Sequence, residues 1–212
     1  MISGQIVSAY GGKTYGSPDG ALQAVIRGLK TYEQQVIPRA MRRAMQRYLK
    51  YVADTIIKRN SKPWPGGTTA NSLSKRSGQA LRSISQSLKV ESTGSEVLGY
   101  IGGIYYLQTH EDGAVIRARR SKYLTIPLPA ALDQRGVPKK RSAREWTNTF
   151  IIRSKNNNLL IVQRTATGIL PLYVLKKQVR IPKRLGMGDA LNKFLPTLGS
   201  YLQDELKGEF NI

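Results

Sequence analysis

Between residues 61 and 69 the chain reads Ser-Lys-Pro-Trp-Pro-Gly-Gly-Thr-Thr, and this stretch limits what can lie on either side of it. Two prolines without amide hydrogens and two glycines cannot continue a helix. On the N-terminal side, apolar residues recur at spacings of three and four, first at Leu22, Val25, Ile26, Leu29, Tyr32 and Val36, then at Met41, Ala44, Met45, Tyr48, Val52, Thr55 and Ile56. That is the period of a helix with one apolar side. Pro38 falls between the two sets and suits a first helical turn, so the spacing predicts one helix from Gly20 and a second that begins at Pro38 and runs to about Arg59. On the C-terminal side, a short helix over 77–85 is followed by β-branched and aromatic runs at 85–91, 96–101, 123–127, 149–153, 159–165 and 172–179. Bounded by turn residues, these read as strands, with Asn156-Asn157-Asn158 as a hairpin loop. Helical spacing returns over 188–206, where Pro196 implies a kink or a later start.

Helices at both ends of a mostly antiparallel sheet make an α+β fold, with long N-terminal helices packed on the sheet and a C-terminal helix. Residues 1–19, rich in Gly, Ser and Tyr, read as an irregular arm with one short strand at 5–9. Residues 20–212 read as a single domain with a basic loop insertion near 133–148.

Thirty-four Lys and Arg against thirteen Asp and Glu leave a net charge of +21. A chain so charged repels itself and favours an acidic partner, whether nucleic acid or protein. Between Gln34 and Val90 Asp54 is the only acid, whereas Asp189, Asp204, Glu205 and Glu209 gather near the C-terminus, an asymmetry that implies two electrostatically different faces. Arg117, Arg119, Arg120 and Lys122 form one basic cluster, and Lys139, Lys140, Arg141 and Arg144 form another beside Trp146. Such clusters can neutralise successive phosphates without reading sequence. Aromatics are not interleaved as in a single-strand stacking platform, so duplex backbone contact is the sharper form of the reading. A solvated loop or an acidic neighbouring subunit remains the alternative for both clusters.

Catalytic constellations are scarce. Cysteine is absent and His110 is the single histidine, which removes thiol nucleophiles, serine triads and thiolate metal sites. Gly12-Lys13-Thr14 ends like a phosphate loop, but Val7 stands where that pattern needs glycine. His110-Glu111-Asp112 places an imidazole beside two carboxylates, yet consecutive residues point apart on a helix, and Gly113 fits a helix end there. The expectation is a non-enzymatic protein without metal or cofactor. The longest apolar stretch, 97–107, is about half of the roughly 20 residues a membrane-spanning helix needs, and residues 1–12 lack the pattern of a secretory signal.

Two segments carry a family resemblance. The first is Ser77-Gly-Gln-Ala-Leu-Arg-Ser-Ile84, which follows a long helix and a proline-rich loop; the second is Ile104-Tyr-Tyr-Leu-Gln-Thr-His-Glu-Asp-Gly113, followed by Val115-Ile-Arg117 and Lys122-Tyr-Leu-Thr-Ile-Pro127. In order and spacing they resemble the tail-completion or virion-morphogenesis proteins of tailed bacteriophages, the broad group that includes Mu protein G. Ser77 departs from the acid usual in that family, and Arg180-Ile-Pro-Lys-Arg184 matches only loosely its approach to the last helix. The resemblance implies a structural virion protein of the head-to-tail junction, assembled in the host cytoplasm as a homo-oligomeric ring, hexameric if it follows the tail. Its implied partners are neighbouring neck, tail-terminator or tail-tube proteins and packaged DNA, with no membrane. A free, sequence-independent nucleic-acid-binding module is the competing expectation. The residues themselves say less: Tyr105, Tyr106 and Leu107 suit a core edge, and Tyr123, Thr125 and Pro127 alternate with Leu124 and Ile126 as in a half-buried strand.

Overall fold

The computed structural model describes residues 8–10, 13–15, 18–66, 68–94 and 96–210. The fold is α+β, and every pairing between its strands is antiparallel. By packing, the described chain falls into two compact units, each built from discontinuous segments: residues 1–50, 88–100 and 194–212 form one, and residues 51–87 and 101–193 the other. The divisions fall inside the two longest helices.

The first unit begins with a two-stranded hairpin of β1 (Ser8–Tyr10) and β2 (Lys13–Tyr15), where the sequence suggested an irregular arm; the strand expected at 5–9 lies mostly outside the described residues. Helix α1 spans Pro18–Thr31 and passes through a π-helical stretch, Tyr32–Val36, into α2, Ile37–Arg59. The expected start of a separate helix at Pro38 is corrected: helical structure runs without a break from Pro18 to Arg59, and Pro38 is the second residue of α2. In a regular α-turn the proline ring would meet the carbonyl of residue 34 and offer it no donor. The wider turn avoids this, and the amide of Ile37 donates to the carbonyl of Tyr32, five residues back. Ala40, Ala44, Tyr48 and Leu49 are the buried stripe of α2 in this unit. Against it lies the hairpin of β3 (Lys89–Thr93) and β4 (Glu96–Tyr100). Gly99 permits that approach, since a Cβ there would come within 2.5 Å of Met45 Sδ.

The second unit holds a four-stranded sheet in the order β6 (Leu124–Pro127), β9 (Gly168–Lys176), β8 (Leu159–Thr165), β7 (Thr149–Arg153). Residues 154–158 close the β7–β8 hairpin with Asn157 at φ 61, a left-handed conformation asparagine tolerates. Between β8 and β9 the register shifts at Ile161/Val162, opposite Pro171. Proline has no amide for the ladder and is found in sheets at such irregularities; the shift leaves Leu172 and Tyr173 both buried although they are consecutive. A separate ribbon pairs β5 (Ala114–Arg117) with β10 (Gln178–Ile181). The sequence reading ran the last two strands together, because both are apolar and only Lys177 divides them.

Residues 133–148 are held by contacts within the second unit. Asp133 accepts hydrogen bonds from the amides of Arg135 (2.9 Å) and Val137 (2.8 Å), closing a turn. At Gly136 of that turn φ is 78 and an added Cβ would meet the Trp64 ring at 2.6 Å. Farther on, Ala143 and Trp146 pack on the buried cluster of Ala131, Leu172 and Tyr173, and the Trp146 indole N–H donates to the Tyr173 hydroxyl at 3.0 Å. The segment therefore contributes to the core of this unit.

Helices α3 (Gln79–Gln86) and α4 (Tyr106–Asp112) complete the unit, together with the start of α5, Met187–Phe210. Gly113, at φ 72, follows the last residue of α4, the helix end its sequence position implied. Leu107 is buried there, but Tyr105 is 86 % exposed and so forms no core edge. In β6, Thr125 faces solvent between half-buried Leu124 and Ile126, but Tyr123 and Pro127 are half-buried too, so the expected alternation holds only at Thr125. Pro196 sits within α5, and the helix already begins at Met187.

Candidate functional site

All eight cations singled out in the sequence are exposed. Arg117 ends β5, where its guanidinium donates to the Gln178 side chain at 3.2 Å. Arg119, Arg120 and Lys122 lie on the connector from β5 into β6, with the Lys122 ammonium 5.8 Å from the centre of the Tyr123 ring. Lys139 donates to the carbonyl of Ala130 at 3.1 Å, Lys140 and Arg141 follow it in the chain, and Arg144 belongs to a short 3-10 turn, Ala143–Glu145, whose start is capped by Ser142. Among the described residues none of the eight forms an ion pair with a carboxylate.

The sheet does not bring the two clusters together. Strands β6 and β7 occupy opposite edges and run antiparallel, because three antiparallel pairings separate them. The connector into β6 and the segment into β7 consequently arrive at opposite ends of the sheet. What does join the first cluster was not foreseen. Arg153 ends β7, Lys155 sits in the hairpin after it, Lys176 ends β9 and Lys177 follows it. The register puts Arg153, Leu159, Leu175 and Thr125 on one level across the sheet. Arg153 donates to the Asn157 side chain at 2.7 Å and Lys176 to that of Asn158 at 2.5 Å, while the amide of Ala118 donates to the carbonyl of Lys177 at 3.3 Å. One end of the second unit thus carries two sets of cations from segments far apart in sequence. Each is short and unremarkable alone, which is why local charge runs missed the second set.

The clustered acids behave differently from expectation. Glu205 and Glu209 are mostly enclosed in the first unit and form an ion-pair ladder with α2: Arg39 to Glu209 at 3.7 Å, Arg43 to Glu209 at 2.9 Å, Arg47 to Glu205 at 2.9 Å and to Asp204 at 3.5 Å. They do not form a separate acidic face, because the arginines recur every four residues along one stripe of α2 and meet them directly.

Neither carboxylate beside His110 converges on it as a metal or general-base site would require. Glu111 accepts the amides of Met187 (2.8 Å) and Gly188 (2.9 Å), capping the start of α5 from a distant segment. Asp112 accepts from Gln108 within α4. Among the described residues no group of three or more His, Asp or Glu gathers where a metal ion could be held. No described helix is long and apolar enough to cross a membrane. Compared with known protein families, characterised proteins and solved structures, the chain showed no match.

Proposed function

We propose that this protein is a non-enzymatic assembly subunit, a tail-completion or neck component that oligomerises at the head-to-tail junction of a tailed bacteriophage. One observation supports an assembling role above all. Leu22, Ile26 and Leu29, spaced four and three apart on one stripe of α1, are 56 %, 37 % and 62 % exposed. A helix with an apolar stripe buries it against a partner, and an exposed apolar row of this kind marks a protein contact. In the proposed ring, hexameric if the phage tail sets the symmetry, α1 packs on the next subunit, and buried area offsets the mutual repulsion of chains at +21. The phage setting rests on the resemblance of residues 77–84 and 104–127. The test is the mass of the purified chain by sedimentation, alone and with phage neck and tail proteins, beside particle images. A defined oligomer lost on replacing Leu22, Ile26 and Leu29 with Ser supports the reading; a chain that stays monomeric with its partners, and tails completed without it, would sink it.

The basic end of the second unit favours a second reading, sequence-independent binding to duplex DNA. Among the described residues its exposed cations have no carboxylate partner, which leaves them available to phosphates. This predicts tight binding by the isolated chain that weakens steeply with salt, which an assembly role does not require.

A further inference from the structure

Strands β8 and β9 continue past the sheet that holds them. Pairing of β7 with β8 ends at Thr149 opposite Gln163, and pairing of β6 with β9 ends at Pro127 opposite Tyr173. Beyond those points β8 and β9 go on pairing with each other, Gln163 with Leu170 and Thr165 with Gly168. Residues 165–171 thus form the tip of a hairpin arm that, among the described residues, neither neighbouring strand flanks. Every residue of the tip is exposed. The Thr165 hydroxyl closes its turn by donating to the carbonyl of Gly168 at 3.0 Å, and a Cβ added at Gly168 would meet nothing within 4 Å.

What the tip exposes does not suit a hairpin that ends in water. Ile169 is 53 % and Leu170 38 % exposed, and exposed Pro171 follows them. Consecutive strand residues point to opposite faces, so each face of the arm presents an aliphatic side chain to solvent. Exposed strand edges are ordinarily blunted by charge, above all by lysine. This one is not: from Thr165 to Leu175 eleven consecutive residues carry no charge, in a chain with 34 Lys and Arg. A tip without cations offers nothing to phosphates, so the duplex reading does not use it. The exposed row of Leu22, Ile26 and Leu29 on α1 lies in a neutral stretch as well, since residues 18–36 hold Asp19 and Glu33 against Arg27 and Lys30. Copies at +21 repel one another and meet most favourably where neither surface carries net charge. The arm and the α1 row are two such surfaces, and both are apolar.

We propose that the β8–β9 arm of one copy packs on the α1 row of the next, with Ile169, Leu170 and Pro171 covering Leu22, Ile26 and Leu29. The inference rests on the assembly reading above, in which α1 meets another subunit, and it names what α1 meets. Burial of these aliphatic side chains drives the contact. Because the two surfaces differ, the contact is head-to-tail: each copy offers one arm and one row, and addition continues until the rotation between copies closes a ring.

Two variants of the full chain separate the surfaces. The row variant carries Leu22→Ser, Ile26→Ser and Leu29→Ser, and the arm variant carries Ile169→Ser and Leu170→Ser. In sedimentation, with neck and tail proteins added where assembly requires them, the parent should form an oligomer larger than a dimer and each variant alone should be a monomer. Mixed in equal amounts, the variants should form one-to-one dimers and nothing larger, because the first keeps a working arm and the second a working row. Should either variant fail to fold, Gln23→Cys and Thr167→Cys at exposed positions beside the two surfaces give a second measurement in a chain without cysteine. A short bismaleimide should join these two chains in a mixture and leave each alone unjoined. An arm variant that assembles like the parent, while the row variant does not, overturns the proposal and leaves the assembly reading standing. So does a mixture that stays monomeric or unjoined, linkage within either cysteine variant alone, or a parent that stops at dimers. A parent that stays monomeric, alone and with neck and tail proteins, overturns both.

Discussion

On α2 the guanidinium groups of Arg39, Arg43 and Arg47 lie 2.9 to 4.0 Å from carboxylates of Asp204, Glu205 and Glu209, whereas those of Arg117, Arg119 and Arg120, at one end of the second unit, meet none among the described residues. The residue type is the same and the use is opposite. In the first unit Arg39 pairs with Glu209 and Arg47 with Glu205 and Asp204, so numbering rises on one helix as it falls on the other, as antiparallel helices require. Glu205 and Glu209 retain only 17 % and 18 % exposure of their side chains. Pairing there serves the fold. Around the connector into β6 the charge is exposed and, among the described residues, meets no carboxylate; Arg117 bonds the Gln178 side chain instead. A high net charge is therefore two properties in one chain, one internal and one directed outward.

Reversing the ladder should have the largest effect. Glu205→Lys with Glu209→Lys sets two new cations against three arginines, and we expect a loss of about 2–3 kcal/mol in urea unfolding, discounted for the half-exposed arginines. Unchanged stability would mean the ladder contributes nothing and the contrast with the second unit fails. Next, replacing Arg117, Arg119, Arg120 and Lys122 together by Gln should leave unfolding within about 0.5 kcal/mol. If the end binds duplex DNA, the same variant should lose about a hundredfold in affinity at low salt and roughly 3 to 4 units of salt slope. No DNA binding by the parent chain would instead direct these cations to an acidic protein neighbour.

A single Glu205→Gln change is smaller, about 1 kcal/mol, and should shrink as salt is raised. The smallest effect concerns His110, half-buried beside a third kind of cation, Arg184. Burial of the His110 imidazole and, after it, the charge of Arg184 lower the folded imidazole from its ordinary value of 6.5, so the unfolded chain binds the proton more readily. Stability should fall as pH drops through that ordinary value and stop falling below the lowered one. Thermal midpoints across this range check it, and His110→Gln should flatten the dependence.

Much of the secondary structure was legible because it is written in local spacing. The end of α2 at Arg59 and the strands Thr149–Arg153 and Leu159–Thr165 coincide with the pattern. The π-helical passage before Pro38 was not, since a proline tells that a regular turn fails but not whether the chain breaks or widens. At the candidate site, the cations at 117–122 and 139–144 were visible as charge runs, but their separation to opposite ends of the sheet follows from strand order. Arg153, Lys155, Lys176 and Lys177 carried no signal beyond isolated charge. Glu111 was noticed only as a neighbour of His110, and its capping of α5 spans more than seventy residues.

By itself the sequence determined most of the element types, the α+β class, the lack of cysteine, and an excess of positive charge that demands counter-charge somewhere. These follow from side-chain period and inventory, which each short stretch carries with it. Only the tertiary structure decided which charges find partners within the chain and which converge from separate strands. Those outcomes depend on residues brought together across long loops, where the balance between desolvation and pairing is set by neighbours that no local pattern names.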